Sequence, residues 1–446
     1  MNTEADNHNI LFHILRCAAV FLITLATAVC LLVLSAMIPR SAIKDNVTRS
    51  AEYFVNEENM FSYAIPYLPG SRQDHYADSI LTSIVWNIDP SSPLSSVMKD
   101  MYYKGKLQNE NENLYTSVTG NYEPNTQYMR YWHGSIIFLR PLFCIFSIQG
   151  IYIWHLIVLI VLAGLLLMQL FRSGEYALSI GIIVALIMTM ACFIPFTLEY
   201  TWTIMLTLVI SNIIIFRFKK LPNTKAPVYL FLICGMLTCF FDFLTTETLT
   251  LLVPLIILLK LTERIPVPSG YKNRAVYMIK TAFSLGTHWI FGYVFMWLSK
   301  WALAAAILGE NVMPYVTSHI SERIGGSVSD NIIGNIFASL GNNIRSLIPF
   351  CFGEIGVAIG IMALIIIIYI CFVYRKKDAD IRAASVLLII GIVPYLRYML
   401  VLNHSYLHYF FTFRAQMAGI LAISVFMAGI VDWRCVFHED KRKRKS

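Results

Sequence analysis

Charge is scarce in this sequence. Of its 446 residues only 14% are Asp, Glu, Lys or Arg, against 57% of apolar type, and the mean hydropathy is +0.62. Water-soluble domains usually carry about 25% charged residues. The composition therefore excludes an ordinary soluble enzyme, a disordered chain and a nucleic-acid-binding domain. Local chemistry motifs are missing as well: there is no Walker sequence, no GxGxxG, no GxSxG elbow and no HExxH. No CxxC occurs. Apart from Cys435, the nine cysteines lie in or beside apolar runs and read as small packing residues, Cys17 among them.

Long apolar runs are abundant. A spanning helix needs roughly 20 apolar residues, about 30 Å at 1.5 Å per residue. The candidates are 14–38, 151–171, 176–196, 200–217, 228–243, 248–260, 281–306, 347–373, 382–400 and 414–431. The first is longer than the apolar core of a signal peptide and reads as a retained helix. The short runs 228–243 and 248–260 read as a broken or tilted pair, which is permitted where the backbone faces protein or a cavity. The predicted fold is all-α and polytopic, a single membrane domain over 1–446 with about 10–11 crossings.

Basic residues orient the set. Clusters at Arg217–Lys220, Lys260–Lys280, Arg375–Lys377 and Lys441–Lys445 belong in the cytoplasm by the positive-inside rule. The formal charge of 35 − 27 = +8 is largely this topology. Both termini are then inside and 432–446 is a basic cytoplasmic tail. The regions 39–133 and 307–346 form outer loops, and 134–149 is interfacial or re-entrant. The same arrangement sends Glu199–Thr201, Asp242–Thr248 and 401–414 outside. Arg140, Asp242, Lys300, Glu354 and Arg397 sit in apolar surroundings, where charge is costly. Their recurrence near one boundary points to an outward-facing cavity. Ion pairs between helices, or snorkelling ends, would account for any one of them singly.

Three polar stretches stand out. Ser71 to Trp86 follows a Pro-Gly turn, with Ile80 and Ile84 at helical spacing, and predicts a short amphipathic helix on the membrane surface. Asp74 and Asp78 lie four apart near its start, with Glu57 and Asp89 behind them. Residues 104–127 are rich in Asn and Glu and read as an exposed excursion. Tyr128 to Leu142 combines aromatics with Arg130, His133 and Arg140, either a phosphate site or an aromatic belt with basic anchors. Arg397 to Arg414 contains His404 and His408, which share a face if helical. No cysteine or HExxH joins them, so hydrogen bonding to an anionic head group is favoured over metal.

One helix, a long outer loop with acidic residues near a surface helix, then an aromatic-basic approach to apolar helices resembles the GT-C superfamily of integral membrane glycosyltransferases. His133-Gly-Ser-Ile-Ile-Phe-Leu-Arg-Pro-Leu142 is similar to the start of an early helix in the protein mannosyltransferase and aminoarabinose transferase branches. Those branches carry a Pro-Pro-Leu core where this chain has Arg140-Pro-Leu142. Phe241-Asp-Phe-Leu-Thr245 and Asn403-His-Ser-Tyr-Leu-His408 resemble phrases in bacterial membrane proteins of this general type.

The resemblance implies a bacterial plasma-membrane enzyme. Its donor is a polyprenyl-phosphate sugar, and its acceptor is a glycan, lipid or protein on the outer side. It also implies an acidic catalytic residue in the first outer loop, here Asp78 or Asp74, with Asp78 preferred for its place on the surface helix. Arg130, His133, Arg140, Asp242, Arg397, His404, His408 and Arg414 are the candidate substrate-binding residues. No cofactor and no metal ligand is assigned. Membrane lipids are the expected surroundings, and nucleic acid is not an expected partner. Two other classes remain. A glycan polymerase or ligase would carry its largest outer loop late in the chain, whereas the first loop is longest here. A transporter or flippase of lipid-linked sugars would show internal repeats and polar groups at midplane depth, and neither is evident.

Overall fold

The computed structural model describes residues 3–57, 59–106, 108–218, 226–315, 317 and 332–437. The basic run Lys441–Lys445, Lys219 and Lys220, and part of the 307–346 loop lie outside the described residues. Where no water is present to bond peptide groups, apolar sequence satisfies its backbone internally as helix. Among the described residues, six helical stretches are long and apolar enough to cross a membrane: Ile10–Ala36, Ile148–Arg172, Arg274–Leu308, Gly353–Val373, Ile381–Leu400 and Tyr409–Ile430. The protein is a helical, multi-pass membrane protein.

The helices are α1 (Thr3–Ala36), α2 (Arg40–Asn56), α3 (His75–Asn87), α4 (Pro93–Lys99), α5 (Glu110–Gly120), α6 (Ile136–Phe143), α7 (Ile148–Arg172) and α8 (Tyr176–Met188). They continue with α9 (Thr201–Arg217), α10 (Ala226–Phe241), α11 (Thr248–Thr262), α12 (Arg274–Leu308), α13 (Ile332–Arg345) and α14 (Gly353–Val373). The set closes with α15 (Ile381–Ile390), α16 (Val393–Leu400) and α17 (Met417–Ile430), and with short helical turns over 402–412. Helices α8 to α11 are apolar but shorter than a spanning helix. Nearly every residue of α11 is buried, so protein surrounds it on all sides. Helices α10 and α12 meet backbone to backbone. A Cβ on Gly235 would lie 2.0 Å from the Trp289 carbonyl oxygen, and one on Gly292 would lie 2.2 Å from that of Leu232. Small residues allow this close packing in membrane bundles.

The first loop folds as a cap. Its hairpins pair Phe61–Tyr63 with Arg72–Asp74 (β1–β2) and Met101–Tyr102 with Thr126–Gln127 (β3–β4). Helix α3 is not the surface helix expected from its spacing. Eleven of its residues are buried, because α2 and α5 cover it. The Asn/Glu-rich excursion also differs from expectation. It contains α5, N-capped by Asn109, which turns polar groups inward: Asn111 Nδ2 donates to Phe54 O at 2.9 Å and Ser79 Oγ donates to Asn111 Oδ1 at 2.8 Å. Polar composition here marks a hydrogen-bonded interface between helices, where each buried amide has its partner.

The connections sort to two ends. At the cap end Leu198 N donates to Asp78, Arg414 reaches Gly70 O, and Asn343 meets Ser405 and Thr412. At the other end Arg264 pairs with Glu175 at 2.6 Å, Arg375 bridges to Val431, and Asp432 N donates to Tyr374 O.

Candidate functional site

Two adjoining groups of polar side chains lie under the cap. The first is built on β2 and the start of α3. Asp74 is the N-cap of α3, its Oδ1 accepting from Ala77 N at 3.0 Å, so local helix geometry fixes its orientation. Asp78, one turn on, is fully buried. Its Oδ2 accepts from the Tyr152 hydroxyl, and its Oδ1 accepts from Leu198 N at 2.8 Å and from Thr197 Oγ1 at 3.4 Å. Both oxygens are thus committed to tying α3 to α7 and to the turn before α9. Burial pushes the Asp78 carboxyl up to about 8 against the donors that lower it. Burial also raises Asp74 above the usual carboxylate range, opposed by Ala77 N and the nearby Arg72.

Arg72, on β2, escaped the sequence reading. Its guanidinium is held between the rings of Phe61 and Phe410, 4.0 and 4.1 Å from their centroids. Its Nε is buried with no hydrogen-bond partner among the described residues. Beside it Arg414 donates from Nη2 to Gly70 O at 2.7 Å and from Nη1 to Phe410 O at 3.1 Å, while its buried Nε also lacks a partner among the described residues. Tyr200 lies under Arg414, 4.9 Å from ring centroid to guanidinium. The His404 and His408 rings lie 4.6 Å apart, tilted by 37°, and His408 stacks on Phe411 at 5.3 Å, so both histidines border this group. Two rings around one cation favour a guanidinium over an ammonium. The signal is contextual: Phe61 and Phe410 come from opposite ends of the chain.

The second group centres on Tyr128 to His133. Arg130 lies over Tyr128 at 4.3 Å and donates to its hydroxyl at 2.7 Å. His133 has φ 50° and bonds Tyr128 O through Nε2 at 3.0 Å. Burial lowers its pKa to about 3, so the ring is neutral. Its ring meets Phe243 at 5.2 Å. Close by, Asp242 accepts from Thr203 Oγ1 at 2.9 Å, Thr245 N at 3.1 Å and the Thr245 hydroxyl. His75, which the sequence reading passed over, is buried between Tyr53 and Phe54 with both ring nitrogens unpartnered among the described residues.

The charges expected to face a cavity are instead used to hold the fold. Arg140 is fully buried and donates to Ile38 O at 3.0 Å from Nε and to Val85 O at 2.6 Å from Nη1. It satisfies carbonyls near the ends of α1 and α3, the role a cation plays at a helix C-terminus. Arg397 bonds Glu247 at 2.8 Å, Ser405 Oγ at 2.8 Å and Leu244 O at 2.5 Å. Lys300 bonds Asp100 at 2.7 Å and Val97 O at 2.8 Å, pinning α12 to the cap. Glu354 alone of this set is exposed, at the start of α14. A buried charge without partners is so costly that each of the others has recruited them.

A long apolar groove runs beside the first group. It has a volume of about 760 Å³ and lies between α8, α14 and α17, lined by residues such as Ile180, Val184, Ala363, Ile367 and Ile420. Its upper end, at Met188 and Ile348, borders the cluster of Leu68, Met190 and Phe413. Gly70 packs directly on Met190 and Phe413, so this cluster is the floor beneath Gly70 and Arg414. No family model, curated protein or solved structure matches this chain.

Proposed function

We propose that this protein is a membrane glycosyltransferase of the GT-C kind, which transfers a sugar from a polyprenyl-phosphate donor to an acceptor hydroxyl at the cap end of the bundle. The observation that carries the reading is the junction of the apolar groove with the group formed by Arg72, Arg414 and Asp74. A groove of this size lies within the roughly 300–1,000 Å³ range of ligand sites. An isoprenoid tail fits its lining, and the cations at its head suit the phosphate. In this reading the cap end faces outward in the bacterial plasma membrane, and α1, α7 to α12, α14, α15–α16 and α17 are the crossings.

The chemistry follows from the residues. The acceptor oxygen attacks the anomeric carbon, the bond from that carbon to the phosphate oxygen breaks, and the phosphate leaves with the electron pair. Asp74 takes the acceptor proton. Arg72 and Arg414 offer N–H groups to the charge that grows on the departing phosphate. A single displacement inverts the anomeric configuration. Asp78, with both oxygens engaged, positions the helix that carries Asp74. A flippase would also use a lateral groove, but this one is apolar along its described length, with Ser424 its one hydroxyl besides Tyr176, and offers a head group no polar path.

The test is turnover of polyprenyl-phosphate sugars by the full chain in liposomes. Asp74→Asn should lower kcat by at least about 100-fold, the lower bound for a positioned base. Because the base acts as carboxylate, the wild-type rate should rise with pH, along a limb displaced above the ordinary carboxylate range. Unchanged turnover in Asp74→Asn would overturn the assignment of the base. Lipid translocation without sugar transfer would overturn the reaction itself.

A further inference from the structure

Far from the cap, three side chains with metal-ligand chemistry converge between α1 and α12. His13 and Cys17 are four apart on α1 and so share a face. His288 projects from α12 toward them. His13 Nε2 lies 3.2 Å from His288 Nε2, and Cys17 Sγ lies 3.7 Å from His13 Nε2. The three donor atoms all fall within 4.8 Å of one another, at half-buried positions.

We infer that His13, Cys17 and His288 form a transition-metal site, for which zinc is the best-matched ion. The distances support this. Zinc binds imidazole nitrogen at about 2.0–2.1 Å and thiolate at about 2.3 Å, which at a tetrahedral angle separates the ligands by roughly 3.3 Å (N to N) and roughly 3.6 Å (N to S). The His13–His288 and Cys17–His13 spacings differ from these by a tenth of an ångström or so, and Cys17 and His288 fall within 4.8 Å of each other. The tautomer is set as well: His288 Nδ1 lies 2.7 Å from the Ser284 carbonyl oxygen, which can only accept, so Nδ1 carries the proton and Nε2 presents its lone pair. Such a bond on the far nitrogen is the usual support of a metal-bound histidine.

The surroundings suit a site with one open position. Three protein ligands leave a fourth place for water or another donor. The hydroxyl of Tyr229, whose ring lies 6.2 Å from that of His13, is buried without a hydrogen-bond partner among the described residues. One turn before His288, Ser284 also lines a cavity of about 260 Å³ together with Lys280, Thr281 and Tyr277. On binding, the Cys17 thiol loses one proton to solvent while the two imidazoles stay neutral. The ion would then clamp α1 to α12. These helices run parallel, since Phe21 meets Phe295 about two turns further along both. This inference is independent of the transferase reading.

The experiment is metal binding by the full-length protein in detergent after chelation and dialysis, with cobalt as the spectroscopic stand-in for zinc. One equivalent should bind, with tetrahedral visible bands and a thiolate charge-transfer band. Cys17→Ser should abolish the thiolate band, and His13→Gln or His288→Gln should weaken binding by at least the roughly 10–100-fold that loss of even a supporting partner costs. If the triple variant retains the wild-type stoichiometry and spectrum, or if wild type binds no metal, the inference fails and the contact is a hydrogen bond between histidines. A second readout on unmutated protein guards against misfolded variants. Zinc should slow maleimide labelling of Cys17, located by mass spectrometry, and leave Cys435 unaffected. Labelling of Cys17 indifferent to zinc would also overturn the site.

Discussion

Arg140 and Arg72 carry the same guanidinium into different circumstances. Arg140 spends its N–H groups on the carbonyls of Ile38 and Val85, whereas Arg72 is fixed by two rings and keeps a buried Nε without a partner among the described residues. Their substitutions should separate. Arg140→Met strands the carbonyls it served, at about 1–3 kcal/mol each, and should lower the thermal midpoint in detergent with or without donor. Arg72→Gln should leave that midpoint nearly unchanged and weaken donor binding, measured by titration with a polyprenyl-phosphate sugar. A hydrogen bond to a charged group contributes about 1.5–3 kcal/mol, which is roughly ten- to hundredfold in affinity. Arg72→Lys should not restore it, because an ammonium cannot lie flat between two rings. Equal loss of binding in both the Arg140 and Arg72 variants would contradict this division. At this scale the sequence was only half legible. Arg140 was visible as a charge in an apolar run, but its use was not, since that depends on which carbonyls α1 and α3 bring to it.

Among the elements, α14 has the least company. Its apolar surface is exposed nearly all round, and its buried residues are Gly356 and Gly360. At one end Gly356 and Gly360 press on Pro349 and Phe350, and at the other Ile370, Cys371 and Tyr374 join the cluster of Ala384, Ile430 and Val431. Between these anchors it stands off from α8 and α17, and the gap is the groove. Ala363→Trp should fill that gap. Overpacking costs of about 1–3 kcal/mol predict a loss of roughly tenfold or more in affinity for a long-chain donor. A donor analogue with a short prenyl chain should be affected little, and equal effects on both would argue against a tail in the groove. The apolar run at 347–373 was plain in the sequence. The groove was not, because it is the space between three helices distant in the chain. Helix α3 shows the converse: Ile80 and Ile84 announced a helix, but the layer that buries it comes from the polar stretch with Asn109 and Asn111, whose composition resembles loop.

For the molecule as a whole, the cap end gathers buried acids. Burial raises Asp78 to about 8 and Asp100 to about 7 from an ordinary value of 3.8. Asp74 moves in the same direction. A carboxyl that binds its proton more tightly when folded stabilises the fold fully below its unfolded pKa, and that contribution fades as pH rises through the folded value. The thermal midpoint of the detergent-solubilised protein should therefore fall as pH increases from about 4 to about 8, most steeply in the lower half of that interval, where all three carboxyls keep their proton when folded and lose it when unfolded. Asp78→Asn should flatten the curve. A midpoint that climbs over this interval would contradict the assigned shifts. Chain-wide sorting was the most legible level. Charge placement grouped 39–133, Glu199–Thr201, Asp242–Thr248, 307–346 and 401–414. The structure gathers the first three and the last at one end, and 307–346 lies partly outside the described residues.

The stand-off of α14 has a consequence for how the protein meets a ligand. An opening between two anchored ends of a helix faces the bilayer sideways, not the water above it. A long-chain donor would enter by lateral diffusion without leaving the hydrocarbon, so its effective concentration is its mole fraction among lipids. Rates measured in detergent or vesicles should then scale with surface density and fall on dilution by inert lipid, even when the bulk amount of donor is held constant.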